Sequence, residues 1–308
     1  MLSTVKTVIV TEPSIPTVAS SSVLHRLPPL PSWTELPDDL TANILQRLHT
    51  EEILVTAQEV CSTWWRVCKN PNMWRIMDLD HEHCRRYGLK EFKNICRCAV
   101  DLSQGKLVEL KLTGLAVDLS INYATERSSQ LRCLTLSESQ IMGYVLPEAI
   151  KKLPRLEELH LCVMLIPNPT DLETIGISCP MLKSFTYRNH WVVNLDVSEH
   201  VVAIGKTMPN LHHLQPCGKW IENRGLEAIL DGCPHLESLD LGRCKGLDMQ
   251  GALVKRCFEQ IKDLRLRPVS PPSISYQDGD YDSDSSYYDI YSSSDSDEEN
   301  DSIHYEYN

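Results

Sequence analysis

No stretch of the 308-residue chain reaches the roughly 18 consecutive apolar residues that a membrane-spanning helix needs, which argues against a helical membrane protein. The opening "MLSTVKTVIVTEP" carries one lysine and an apolar run too short for a signal-peptide core, and it lacks a cleavage site. A chain kept in the nucleus or cytoplasm is therefore expected, with its 12 cysteines reduced. Catalytic signatures are missing as well: no Gly-x-Ser-x-Gly, no Gly-rich phosphate loop and no His-Glu-x-x-His. Basic residues are absent from the last stretch. Tyr276 to Asn308 hold 11 acids and no Lys or Arg, so of the net charge of -12 only -1 belongs to the rest of the chain. A near-neutral body offers no electrostatic footprint for nucleic acid or an anionic membrane.

What is present falls into segments. Residues 1–31 are rich in Ser, Thr, Val and Pro without periodicity and read as a disordered extension; residues 268–308 read as a disordered acidic tail. In the tail, Ser294 and Ser296 precede acids as acid-directed kinase sites do, and simple solvation is the other use of such a tail.

Residues 32–77 read as a helical unit. Pro37 suits a first helical position, with Asp38 and Asp39 at the positive end of the helix dipole. Leu40, Ile44, Leu45 and Leu48 make an apolar stripe at helical spacing. Thr50 is placed to cap a second helix carrying Ile53, Leu54, Ala57, Val60, Cys61 and Trp64 up to Asn70-Pro71. So short a segment cannot bury all of that apolar area by itself, and a partner surface is the natural use of the excess.

A linking helical segment is expected over residues 78–106, and a repeat follows over residues 107–267. Leucines at positions one, four and six recur from Leu107-Leu110-Leu112 through Leu131, Leu156, Leu182, Leu211 and Leu236 to Ile261-Leu264-Leu266. The steps between first positions are 24, 25, 26, 29, 25 and 25, inside the range of leucine-rich repeats. Alternation at the end of each unit predicts a strand with its fourth and sixth residues pointing into a shared core, and stretches such as "NRGLEAILDG" have helical spacing.

The string "LPDDLTANILQRL…VCSTWWRVCKNPNMWR" resembles an F-box, with Leu36, Pro37, Ile44, Leu45, Leu48, Val60, Cys61, Trp64 and Trp74 on matching positions and Trp65 able to take the place of Trp64. "CPHLESLDLGRCKGL" resembles the cysteine-containing leucine-rich repeat, in which Cys233 and Cys244 would fill small buried gaps, the sulfur accepting a weak hydrogen bond. Together the two are similar to plant F-box/LRR-repeat proteins of the Skp-interacting-partner type. That resemblance implies an α/β fold: a three-helix F-box followed by a short curved solenoid of about seven repeats. It implies a non-catalytic, substrate-recognition subunit of an SCF-type E3 ubiquitin ligase. A Skp-type adaptor would dock on the F-box, including Leu40 and Trp65, and would bring cullin and RING subunits. An unidentified target protein would bind the repeats. The alternative is a repeat scaffold with no role in ubiquitin transfer.

Sharper chemistry finds little support. His81, His83, Cys84, Cys96 and Cys98 have His-x-His and Cys-x-Cys spacings rather than those of zinc sites, so no metal or cofactor is assigned. Cys162 sits in apolar "LCVM", without an activating neighbour. The 29-residue step and Pro216 mark an irregular region holding Tyr187, Arg188, His190, Trp191, His213 and Trp220. Such residue types dominate interfaces, which makes this the candidate substrate surface, along with outward Lys111, Thr135, His160, Thr186 and Arg265. The competing reading is that Trp191 and Trp220 fill a wider core.

Overall fold

Wherever the leucine pattern recurs, a strand forms. The computed structural model describes residues 36–81, 88–114, 117–139, 141, 144–163, 167–189, 196–216, 220–242, 245–248 and 250–266. Eight strands pair in one parallel sheet in chain order: β1 Ile76–Asp80, β2 Glu109–Thr113, β3 Cys133–Ser139, β4 Glu158–Val163, β5 Ser184–Arg188, β6 His213–Gln215, β7 Ser238–Gly242 and β8 Asp263–Leu266. Parallel neighbours need a crossover. The helices α4 Gly88–Ser103, α5 Asp118–Arg127, α6 Val145–Ile150, α7 Pro169–Ser178, α8 Ser198–Thr207, α9 Asn223–Gly232 and α10 Ala252–Gln260 supply one between each pair of strands, and successive helices pack side by side. None of the described helices is long and apolar enough to cross a membrane.

The core is a set of rows. Met77, Leu110, Leu134, Leu159, Phe185, Leu214 and Leu239 share one register row, all within 2% of complete burial. Leu79, Leu112, Leu136, Leu161 and Tyr187 form the next. Each buried side chain of this size contributes about 1.5–3 kcal/mol of transfer free energy. Below the rows runs a backbone ladder. The Val108 carbonyl accepts from the Arg132 and Cys133 N–H groups (2.8 and 3.1 Å), Arg132 from Glu157 and Glu158, Glu157 from Lys183 and Ser184, and Lys183 from His212 and His213. One carbonyl thus satisfies two donors of the next repeat, locking adjacent units at one offset. On the helical side α8 and α9 approach so closely that a Cβ on Gly232 would overlap the Gly205 carbonyl oxygen.

Two expectations need correction. The sheet begins before Leu107: Trp74, Met77 and Leu79 keep the one-four-six spacing, so the segment read as a helical linker starts within β1 and continues into α4. Hydrogen bonding accounts for this, since the Arg75 carbonyl accepts from Val108 and Glu109 as its counterparts do further along. The N-terminal unit is also more broken than its apolar spacing suggests. It comprises α1 Asp38–Leu45, α2 Thr50–Val55, a 3-10 turn Ala57–Glu59, α3 Ser62–Cys68 and a second 3-10 turn Pro71–Trp74. β-Branched Val55 and Thr56 favour an end there, and Cys61 is extended, splitting the single helix expected to follow Thr50. Thr50 itself is buried; the Glu52 carboxylate instead accepts from the backbone N–H of His49.

Strand register yields a direct test. Leu239→Asp should abolish the cooperative urea transition, because an unpaired carboxylate in the core offsets much of the roughly 5–15 kcal/mol available to a domain. Its neighbour Asp240 points outward, accepting from Gln215 Nε2 and the Gly242 N–H, each at 3.0 Å. Asp240→Ala should cost only about 1 kcal/mol. Equal losses in the two variants would refute the register.

Candidate functional site

The N-terminal unit divides its apolar residues between two jobs. Leu45 is fully buried, with Ile53, Leu54, Ala57, Val67, Cys68, Met73 and Trp74 in the same core. Leu40, Ile44, Leu48, Val60 and Trp65 remain exposed, by 51, 38, 38, 58 and 54%. Leu36 and Cys61 are half-buried and Pro37 is exposed. The paired tryptophans split: Trp64 packs against the core, while the Trp65 ring faces out beneath the Lys69 ammonium, 5.7 Å from its centroid. Exposed large apolar groups concentrated on so small a unit are the mark of a protein contact. Of the proposed contact residues, Leu45 and Trp74 belong to the interior instead. The Trp74 indole N–H donates to the Cys68 carbonyl at 2.8 Å, satisfying its polar edge inside the core.

The second surface is the outward face of the sheet. Its central row runs Asp78, Lys111, Thr135, His160, Thr186 and Gln215, and Asp240 and Arg265 continue it. Charges along the row are matched: Lys111 pairs with Asp78 at 2.9 Å, and Gln215 links Asp240 to Arg188 Nη2, the latter bond 2.7 Å. An open depression of about 380 Å³ lies here, lined by residues that include His160, Cys162, Thr186 and Arg188. Arg188 and exposed His213 thus stand on this face as expected. Tyr187 does not. It is fully buried, stacked between Phe185 and His200, because the sixth position of the repeat points inward. Trp220 is 45% exposed but belongs to a separate bridge with Asp196 and Lys245, outside the main strands. His190 and Trp191 lie outside the described residues.

Comparison with known proteins agrees with this two-part architecture. The F-box-like family matches residues 33–80. F-box/LRR-repeat protein 22 of Arabidopsis thaliana is 43% identical over 236 residues, covering 76% of each chain. F-box protein SKIP19 of the same plant is 43% identical over 237 residues, again 76% of each. The chain belongs to the plant F-box/LRR-repeat family. F-box/LRR-repeat protein 23 is 42% identical over 261 residues; that stretch is 80% of this chain and 58% of the longer relative.

Within this F-box/LRR-repeat protein Cys96, Cys179 and Cys233 behave as packing groups, while Cys244 lies outside the described residues. Cys179 and Cys233 open the turns before β5 and β7, and each thiol donates to a carbonyl of the preceding repeat, Leu153 at 3.5 Å and Met208 at 3.4 Å. The sulfur is a donor here, not the acceptor expected. Burial pushes both thiols up to about 12, the opposite of what a nucleophile needs. Cys96, on the buried face of α4, is pushed up to about 11 for the same reason. Cys98, two residues on, is exposed. At pH 8 a thiol reagent should therefore label Cys98 rapidly in the folded chain and reach Cys96, Cys179 and Cys233 only in denaturant. Labelling of Cys179 or Cys233 at the rate of Cys98 would contradict the packing role.

Proposed function

We propose that the chain is the substrate-recognition subunit of an SCF-type E3 ubiquitin ligase, working in the nucleus or cytoplasm. The observation that carries this reading is the exposed apolar set Leu40, Ile44, Leu48, Val60 and Trp65 on a segment that matches the F-box-like family. A Skp-type adaptor would cover that set and connect the chain to cullin and RING subunits. A target protein would lie on the outward face of the sheet, around Arg188, Thr186 and His160. No bond is made or broken on this chain in such a role. Its contribution is effective concentration: a target lysine held near a charged conjugating enzyme reacts as though intramolecular. Contact between the F-box and the first repeat supports the geometry, because Trp74 packs both into one core.

Leu40→Ala/Trp65→Ala should abolish co-purification with the adaptor while leaving the thermal melt within a degree or two, since both side chains are already half in water. Undiminished co-purification would leave the repeat-scaffold reading in its place. Arg188→Ala should do the reverse, keeping the adaptor while at least tenfold less target is captured. If target capture by Arg188→Ala matches the parent chain, the docking surface lies elsewhere.

A further inference from the structure

Cys133, Glu158 and His160 meet on the outward face of β3 and β4. Cys133 and Glu158 are directly opposite in the parallel register, and His160 is two residues along β4 on the same side. Glu158 Oε2 lies 3.5 Å from His160 Nε2 and 3.9 Å from Cys133 Sγ, and all three donor atoms fall within 4.8 Å of one another. A tetrahedral zinc ion with bonds of about 2.0–2.3 Å holds its ligand atoms roughly 3.3–3.8 Å apart. Two of the separations on this face are close to that, and side-chain rotation alone brings atoms within 4.8 Å of one another to it.

We propose that Cys133, Glu158 and His160 form a binding site for a divalent transition metal, best suited to Zn2+. The donor set argues for zinc among the divalent ions. A thiolate and an imidazole select against Mg2+ and Ca2+, which favour oxygen alone. Two rigid, paired strands hold the donors, so little ordering is needed on binding. Glu158 and Glu109 both lie near enough to act on the charge of Cys133, and its thiol must lose a proton to become a ligand. A bound dication replaces that proton, which is released to solvent as the Zn–S bond forms. Those same carboxylates, unfavourable to a bare thiolate, are favourable to the cation. Three protein ligands leave a fourth position, filled by water or by a donor from another molecule. His160 also lines the open depression of the sheet face. If that face docks the target, which rests on the function proposed above, a target His or carboxylate could complete the coordination.

Zn2+ alone is the probe, titrated by calorimetry into the full-length chain co-purified with its adaptor, with Cys133→Ser and His160→Asn compared in parallel. The parent should bind one more equivalent of Zn2+ than Cys133→Ser, or bind it at least tenfold more tightly. His160→Asn should weaken binding to a similar degree. Co2+ in place of Zn2+ should give a thiolate charge-transfer band that Cys133→Ser lacks. Unchanged stoichiometry and affinity in both variants would overturn the site, assigning any bound zinc to exposed thiols such as Cys98. Both variants alter outward side chains, so their metal-free melts should match the parent's; should one fail to fold, the other decides. The titration requires no target, so a failed zinc site and a failed target-docking surface give separate results.

Discussion

Everything on this molecule depends on the register in which one repeat sits on the next. Each inter-repeat step from β1 to β7 is fixed twice, by an inward row of fully buried side chains and by a carbonyl that accepts from two consecutive N–H groups of the following unit. A slip of one residue would turn the inward row outward and expose the leucines to water. It would also leave the paired donors without their carbonyl. The two constraints agree, which is why a chain with modest helix-forming segments builds a regular array. The tight contact of Gly205 and Gly232 shows the same fit from the helical side, where a single methyl group has no room.

Trp74 extends that constraint across the boundary between the two halves. It lies inside the F-box-like match at residues 33–80 and takes the first position of a repeat whose fourth and sixth positions are Met77 and Leu79. Its indole N–H closes on Cys68 while its ring lies in the core shared with β1 and α4. A ring so placed couples the helical unit to the array through packed surface rather than through a tether. For a subunit proposed to set the distance between a target and a conjugating enzyme, that coupling matters more than either surface alone. Effective concentration falls when the connection is loose.

The sequence made the repeats legible because leucine at a period near 25 has few other causes, and it made the F-box legible because many separate positions match at once. It hid the first repeat for definite reasons. Trp74 replaces the leucine of the first position, and the step from Trp74 to Leu107 is 33 residues, longer than any other step. The alternation Ile76-Met77-Asp78-Leu79-Asp80 was the available signal. Tyr187 was readable in two ways, as an interface aromatic or as a sixth-position core residue, and position prevailed over residue type. The exposed and buried halves of the F-box stripe could not be separated by helical spacing alone, since Leu45 and Ile44 are adjacent and the packing of α1 against α3 decides which one turns inward.

The outward face was the least legible part, and the physical reason is general. Inward positions are constrained by volume and hydrophobicity, so their identities repeat. Outward positions answer to no such condition, and any polar residue suits the pleat. Their meaning emerges only when the register is known, because a residue and its partner on the next strand are some 25 positions apart in sequence. Cys133 and Glu158 illustrate this: each alone is unremarkable, and they become neighbours only through the pairing of β3 with β4. Along the central row most charges have found partners, Lys111 with Asp78 and Arg265 with Asp240, which lowers the local field and leaves shape and specific donors to discriminate. The Cys133, Glu158 and His160 group departs from that rule by gathering a thiol, a carboxylate and an imidazole where a second carboxylate, Glu109, adds to the negative potential. A sheet face that otherwise pairs its charges has here set two carboxylates, Glu109 and Glu158, beside a thiol and an imidazole, and a soft divalent cation is the species such a donor set is able to hold.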